Sequence, residues 1–396
     1  MDLLRPFRPF LAFASLLLLA SLVLEHINDR FWLNDLRVYY MAADHLRHGL
    51  PIYGETFGLD TGLYKYAPVV LYFFLPYTFL PFHAAGILHF LGTGVLLMGA
   101  FVVIERSLAR FRPAMPKVAT RAVLGLLCIA VLLARELHMG NINVGLLLLT
   151  VLGVERILAG KRTSAGILLG LAWLLKPYLL LMLVPLVIRR EWRVLGAALA
   201  TILAGLLLPL PFHGPSMWWE LHREWGASML LHTGMMTSPD RMGAILGKVF
   251  GFAPSTGLDL VFIAVTGGLL AGMAWKDRNS GRTIQDRRMN ATFELWLAMA
   301  LVPNLVITDQ QHFMFALPLI LFVLAYLFTH RNIPLLLGFL LAMLFYGTRS
   351  TDLWGRELEN MLVGWGVLGS GNILLMVVAA AAWRLWHRPS PKPLSA

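Results

Sequence analysis

The sequence is poor in cysteine and in charge. One cysteine, Cys128, in 396 residues excludes a disulfide framework and any cysteine-rich metal site. Lys, Arg, Asp and Glu make up only 14% of the chain, where a soluble protein carries about 25%. Acids are scarcer still, 22 against 33 bases. There is no G-x-x-x-x-G-K-[ST] loop, no D-x-D and no H-E-x-x-H, so neither a nucleotide-using enzyme nor a zinc enzyme has positive support. GWGVLG at 364–369 has the spacing of a dinucleotide fingerprint, but it lies in an apolar run and follows no strand pattern. Its small residues, like Gly166 and Gly170, suit close packing of helices.

What is present is apolar: 58% of the residues, gathered into runs. At about 20 residues per bilayer crossing this suffices for about 10–12 spans, which rules out a soluble domain, a coiled coil and a disordered chain. The fold expected is all-α, a polytopic integral membrane protein. The spans fall at 9–25, 84–104, 118–134, 144–159, 194–211, 257–275, 291–307, 313–329, 333–347 and 361–383. Residues 9–25 also have the composition of a signal peptide, but no small-x-small site precedes Glu25, which favours an uncleaved first span. The domain expectation is one transmembrane domain over 1–383 and a cytoplasmic tail over 384–396.

The basic residues recur in clusters between the runs: Arg106/Arg110/Arg112/Lys117, Lys161/Arg162, Arg189/Arg190/Arg193, Lys276/Arg278/Arg282/Arg287/Arg288 and Arg384/Arg388. That pattern marks cytoplasmic loops, whereas nucleic-acid binding calls for one basic face with interleaved aromatics. Residues 67–82 are apolar too, but counting them as a span turns the basic segment 105–117 outward. They contain Pro68, Pro76 and Pro81, which break helical hydrogen bonding, and are read as interfacial or re-entrant. Between Lys161/Arg162 and Arg189/Arg190 an apolar stretch interrupted by Lys176-Pro177 has both flanks inside, so it forms a hairpin of two short helices with Lys176 near its tip.

The outer segments then collect the unusual polar residues, among them Asp29, Asp35, Asp44, Lys65, Glu136, His138, Asn141, Asn143, Asp240, Arg241, Asp309 and His312. Chemistry is expected at that face. A transporter of lipid or polysaccharide, the alternative reading, would place polar groups at mid-membrane in several spans, and Lys176 alone is clearly of that kind. In the first outer loop, LNDLRVYYMAADHLRHGLPIYG at 33–54 reads as an amphipathic interfacial helix. Asp35 is either its N-cap or a base held at the membrane surface to take a proton from a hydroxyl. Asp29 and Asp44 compete for that role, but Asp44 follows Asp35 by nine residues, a rotation of about 900° that points the two in opposite directions.

In this segment and beyond, the sequence resembles the polyprenol-phosphate-sugar-dependent glycosyltransferases of the GT-C superfamily, specifically glycosyltransferase family 87, which includes mannosyltransferases of phosphatidylinositol mannosides. The resemblance rests on D-x-x-x-Y-Y at 35–40 with its H-G-x-x-I-Y end, and on Y-x-Y-A-P at 64–68. It continues through G-N-x-N at 140–143, AGILLGLAWLLKPYLLLMLVPLVIRREWR at 165–193 and Q-Q-H at 310–312. It implies an inverting hexosyltransferase, with mannose the expected sugar, moving the sugar from a polyprenyl phosphate to a hydroxyl of a lipid or glycan acceptor. The enzyme would sit in the plasma membrane with its active site on the periplasmic or extracellular side. No cofactor and no metal are implied, and a ligase using a diphosphate-linked donor would call for more outer cations. By the same resemblance Asp35 is the catalytic base and His312 a second catalytic group. Lys176 meets the donor phosphate or, alternatively, forms a structural ion pair with an outer-loop acid such as Glu136. Asn141 and Asn143 line the donor site or cap the following helix, and Arg241 is a further phosphate ligand, although Ser238-Pro239-Asp240-Arg241 departs from the family's Asn-rich segment. Tyr39, Tyr40, Trp218 and Trp219 are acceptor-binding candidates, the tryptophans alternatively serving as interface anchors.

Overall fold

The computed structural model describes residues 2–58, 62–111, 117–235, 238–253, 255–306 and 309–386. Arg112, Arg388 and most of the 384–396 tail lie outside them. The described chain is helical throughout, with eighteen α-helices and a single isolated β-bridge, Thr56 to Leu63. The helices used below are α1 (Arg8–Ile27), α2 (Asn34–His48), α3 (Pro68–Phe74), α4 (Phe82–Phe111), α5 (Val118–Cys128), α6 (Ala130–Met139), α7 (Asn143–Leu158), α8 (Arg162–Leu175) and α9 (Leu183–Ile188). They continue with α10 (Trp192–Leu207), α11 (Leu210–Met235), α12 (Met242–Phe250), α13 (Thr256–Arg278), α14 (Ile284–Leu305), α15 (Leu317–Thr329), α16 (Ile333–Tyr346), α17 (Thr351–Gly364) and α18 (Val367–Trp386).

Among the described residues five helical segments are long and apolar enough to cross a membrane: Leu4–Ile27, Phe82–Phe111, Gly257–Arg278, Gln310–Thr329 and Val367–Trp386. Three further pairs, α5 with α6, the α10–α11 segment and α16 with α17, pass the same test but are bent by 66°, 84° and 87°. The expected spans at 144–159 and 291–307 do form helices, but α7 has only 16 residues and α14 carries Asp286, Arg287, Arg288 and Glu294. The expected single span 118–134 is broken at Ile129, where the backbone leaves helical geometry without proline or glycine. The 361–383 span starts late because residues 361–364 close α17 and the chain turns at Gly366.

The prolines act as their spacing predicts. Pro68 opens α3, a 3-10 turn over Leu75–Phe79 follows, and α4 begins at Phe82. The apolar stretch is thus too short for one crossing. Lys176 leaves α8 in extended geometry, Pro177 starts a 3-10 turn over Pro177–Met182, and α9 completes the hairpin. α8 lies directly on α10 through its glycines: a Cβ on Gly166 would overlap the Val194 carbonyl oxygen, and one on Gly170 would sit 2.7 Å from that of Ala198. Small residues let the two backbones touch, the usual basis of helix association in lipid.

Two arginines that enter the bundle are neutralised by acids from neighbouring helices. Arg121 of α5 and Glu105 of α4 are both about 1% exposed and lie 2.5 Å apart. Arg189, grouped with the topogenic cations in the sequence, is instead buried between Glu294 at 2.7 Å and Asp277 at 2.8 Å. An unpaired charge there would be costly, so this arginine ties α9 to α13 and α14.

Candidate active site

The site is built where the turn between α6 and α7 meets the start of α2. Gly140 ends α6 with φ +66°, and a Cβ there would come within 2.9 Å of Leu36 Cβ. Glycine is thus required twice, for the left-handed turn and for the close approach. The approach brings Asn141 to Asp35, in the first turn of α2. Asn141 Nδ2 donates to Asp35 Oδ2 at 2.6 Å. Its Oδ1 accepts from the Tyr39 hydroxyl at 3.2 Å and from the Ile142 backbone N–H at 2.7 Å. The helix is capped by Leu33 without a side-chain bond, so Asp35 is not its N-cap. The carboxylate is spent on Asn141 instead, and its Oδ1 makes no hydrogen bond among the described residues.

A second chain of bonds runs from the same turn to the tip of the α8–α9 hairpin. Glu136, fully buried in α6, accepts from the Val144 N–H at 3.2 Å and from Asn143 Nδ2 at 2.9 Å. Asn143 Oδ1 accepts from Lys176 Nζ at 2.6 Å, and Lys176 reaches His312 Nε2 at 3.0 Å. His312 Nδ1 lies 2.9 Å from the Asp309 carbonyl oxygen. A carbonyl only accepts, so Nδ1 carries the proton and Nε2 presents the lone pair that Lys176 uses. His312 therefore aims the ammonium; it has no free N–H to offer a leaving group in this arrangement. The simple alternative for Lys176, a direct ion pair with Glu136, is not what forms: Asn143 stands between them.

Tyr66 joins the two chains. Its hydroxyl is 3.1 Å from that of Tyr39, and its ring centroid is 5.6 Å from Lys176 Nζ, within cation–π range. Since the Tyr39 proton is used on Asn141, Tyr66 donates to Tyr39. The Tyr178 ring stands edge-on to His312, centroids 5.1 Å apart, and its buried hydroxyl has no partner among the described residues. Gln311 Oε1 is likewise buried and unpartnered.

Of the residues singled out in the sequence, Asp35, Asn141, Asn143, Lys176, His312 and Tyr39 converge here, and Tyr39 does so as a buried network member. The others lie elsewhere. Tyr40 turns away and donates to the Leu80 carbonyl. Trp218 donates to the Leu206 carbonyl and Trp219 is 63% exposed. Trp225 of the same helix instead reaches the site's edge, bonding the Lys65 carbonyl at 3.3 Å. Arg241 pairs with Asp259, and Asp240 beside it with Arg349. Asp44 faces His48 at 3.5 Å. Tyr66 and Asp309 received no role from the sequence, and Glu136 none beyond an ion pair with Lys176. Their signals were membership of the Y-x-Y-A-P motif for Tyr66 and closeness to the G-N-x-N and Q-Q-H motifs for Glu136 and Asp309.

Burial pushes the Asp35 carboxyl above the ordinary carboxylate range, and the negative charge of Asp309 pushes the same way. Lys65, Lys176 and the Asn141 bond pull it partly back. A carboxylate so placed is a stronger base than a solvated one. A base works only when deprotonated, so the rate falls as pH drops through its pKa. Replacing Asp309 with Asn removes a repelling charge, lowers the Asp35 pKa and should carry the acidic limb of the pH–rate profile to lower pH. An unmoved limb would separate Asp309 from Asp35.

Long apolar helices here bring two carboxylates, Asp35 and Glu136, and one buried ammonium, Lys176, into one network of donors and acceptors, and the family match defines the class as a GT-C-like membrane glycosyltransferase. The chain belongs to glycosyltransferase family 87, which matches residues 64–307. That stretch includes Tyr66, Glu136, Asn141, Asn143 and Lys176, while Asp35 precedes it and His312 follows it. Two curated relatives, both alpha-(1->3)-arabinofuranosyltransferases of Mycobacterium tuberculosis (strains CDC 1551 / Oshkosh and ATCC 25618 / H37Rv), are each 30% identical over 183 residues. The similarity covers 45% of this chain and 41% of each relative, so the chain spans less than half of their length.

Proposed function

We propose that the protein transfers a glycosyl group from a polyprenyl monophosphate to a hydroxyl of a lipid or glycan acceptor, at the periplasmic or extracellular face of the plasma membrane, with inversion. The observation that carries this reading is the Lys176 ammonium: buried, in direct contact with no carboxylate among the described residues and aimed by two neutral acceptors, Asn143 Oδ1 and His312 Nε2. Burying such a charge is costly unless an anion completes it, and a lipid-linked phosphate does so. Asp35 takes the acceptor's proton as the oxygen bonds to the anomeric carbon. The bond from that carbon to the phosphate oxygen breaks in the same displacement, which inverts the centre, and the polyprenyl phosphate leaves with its charge facing Lys176. The unpartnered Tyr178 hydroxyl and Gln311 Oε1 suit a phosphate oxygen and a sugar hydroxyl respectively.

Motif resemblance points to a hexose, mannose first, whereas the relatives' name points to arabinofuranose. The test is to incubate purified protein with radiolabelled polyprenyl-phosphate-mannose or polyprenyl-phosphate-arabinofuranose and a membrane lipid extract. Label in a new glycolipid with either donor is the expected result, and the productive donor identifies the sugar. Label recovered only in the intact donor, across a range of acceptor extracts, would favour a carrier without covalent chemistry.

A further inference from the structure

We propose that Glu136 is a positioning residue for the donor phosphate: its carboxylate fixes the orientation of the Asn143 amide and so the aim of Lys176. The proposal rests on Lys176 being the phosphate ligand.

The argument is one of hydrogen-bond polarity. An ionised carboxylate only accepts and an ammonium only donates. The Asn143 amide stands between one of each, 2.9 Å from Glu136 and 2.6 Å from Lys176. It therefore has a single orientation, Nδ2 toward Glu136 and Oδ1 toward Lys176. Direction then propagates: Lys176 donates to His312 Nε2, and His312 Nδ1 donates to the Asp309 carbonyl. No member can reverse while Glu136 remains a carboxylate. Its second oxygen accepts the Val144 N–H, one of the unpaired donors in the first turn of α7. The residue thus does for α7 what an N-cap does, which leaves the Asn143 side chain free to face the lysine. Glu136 itself is fully buried, bonds Asn143 and Val144 on α7, and shows no direct ion pair among the described residues. Its hydrogen-bonded link to the lysine runs through Asn143 alone, while its charge also acts on the ammonium through space, an effect the charge-conserving double variant below controls for.

A glutamine at 136 breaks this polarity without changing shape. Its carbonyl can keep the Val144 N–H, but its NH2 then faces Asn143. The amide must turn to accept, presenting its own NH2 to the lysine ammonium, donor against donor. Aspartate at 143 repairs the conflict, because it accepts from both the glutamine NH2 and the ammonium. The double variant keeps the net charge and moves the carboxylate one residue along the chain of bonds.

The test measures binding of farnesyl monophosphate, with farnesol as the uncharged control, to the purified full chain and three variants. Glu136→Gln should weaken farnesyl phosphate binding by about tenfold, the scale of one charge-assisted hydrogen bond, and leave farnesol binding unchanged. Glu136→Gln/Asn143→Asp should recover most of the loss. Lys176→Met should lose phosphate selectivity whatever stands at 136. If Lys176→Met has no effect, the donor-site reading itself fails. If Lys176→Met weakens the phosphate ligand but Glu136→Gln does not, the positioning role is overturned while that reading survives. A loss in Glu136→Gln that falls equally on farnesol, or that the double variant does not restore, makes Glu136 a cap of α7 and nothing more.

Discussion

Asp35→Asn should abolish glycosyl transfer, lowering kcat by about 10²–10⁴-fold, the usual contribution of a positioned base, while donor binding stays near its normal level. A sugar or lipid hydroxyl is a poor nucleophile unless its proton leaves as the new bond forms. A carboxylate suffices when the two events are concerted, and burial beside Asp309 makes this one more basic than most. The substitution is clean because asparagine at 35 still accepts through its carbonyl from Asn141 Nδ2, now 2.6 Å from Asp35 Oδ2. The Tyr39–Asn141–Ile142 contacts need not change, and only the base is lost. Asp29→Asn and Asp44→Asn should be nearly silent: Asp29 is exposed beyond α1, and Asp44 is engaged with His48. The measurement is steady-state transfer with each variant alongside donor affinity. Near-normal turnover in Asp35→Asn, with activity lost in Asp309→Asn, would reassign the base to Asp309.

Lys176→Met should raise the donor KM by about 10–100-fold, the range for a charge-assisted hydrogen bond removed from a buried site, with the acceptor KM little changed. Methionine approximates the length of the lysine stem, so the α8–α9 hairpin keeps its packing, and no carboxylate is left directly bonded to an absent partner. What disappears is the positive charge held between Asn143 Oδ1 and His312 Nε2. Lys176→Arg should not substitute, because a planar guanidinium does not fit between an amide oxygen at 2.6 Å and an imidazole nitrogen at 3.0 Å. Competition by farnesyl phosphate against the labelled donor reads the effect directly. An unchanged donor KM in Lys176→Met would remove the residue from the donor site.

The 67–82 stretch and the Lys176-Pro177 hairpin were legible in the sequence because proline speaks locally: it has no N–H and it fixes φ. The bend at Ile129 was not, since nothing in CIAV distinguishes it from the middle of a straight span. Arg189 was misleading for a related reason. It stands in a basic cluster at the end of an apolar run, yet the acids that bury it, Asp277 and Glu294, come from α13 and α14. Arg241 and the tryptophans at 218 and 219 were chosen by residue type alone, and type does not say that Arg241 has Asp259 for a partner or that Trp218 turns to Leu206.

By itself the sequence determined the solvent and the class. Its apolar fraction and scarcity of charge require a helical membrane protein, and the order of its short motifs points to the family that residues 64–307 match. It also exposed Asp35, Asn141, Asn143, Lys176 and His312, because polar groups stand out against so apolar a background. Only the tertiary structure decided how they are connected. Asp35 and Asn141 are 106 residues apart, and Lys176 and His312 are 136 apart. Their bonds exist because Gly140 lets one turn press against α2 and because the hairpin tip reaches that turn. The direction of each bond was decided there too. Burial can be read from composition and periodicity, but whether an amide offers its oxygen or its nitrogen depends on the groups at both ends, and here those are a carboxylate on α6 and an ammonium at the end of α8.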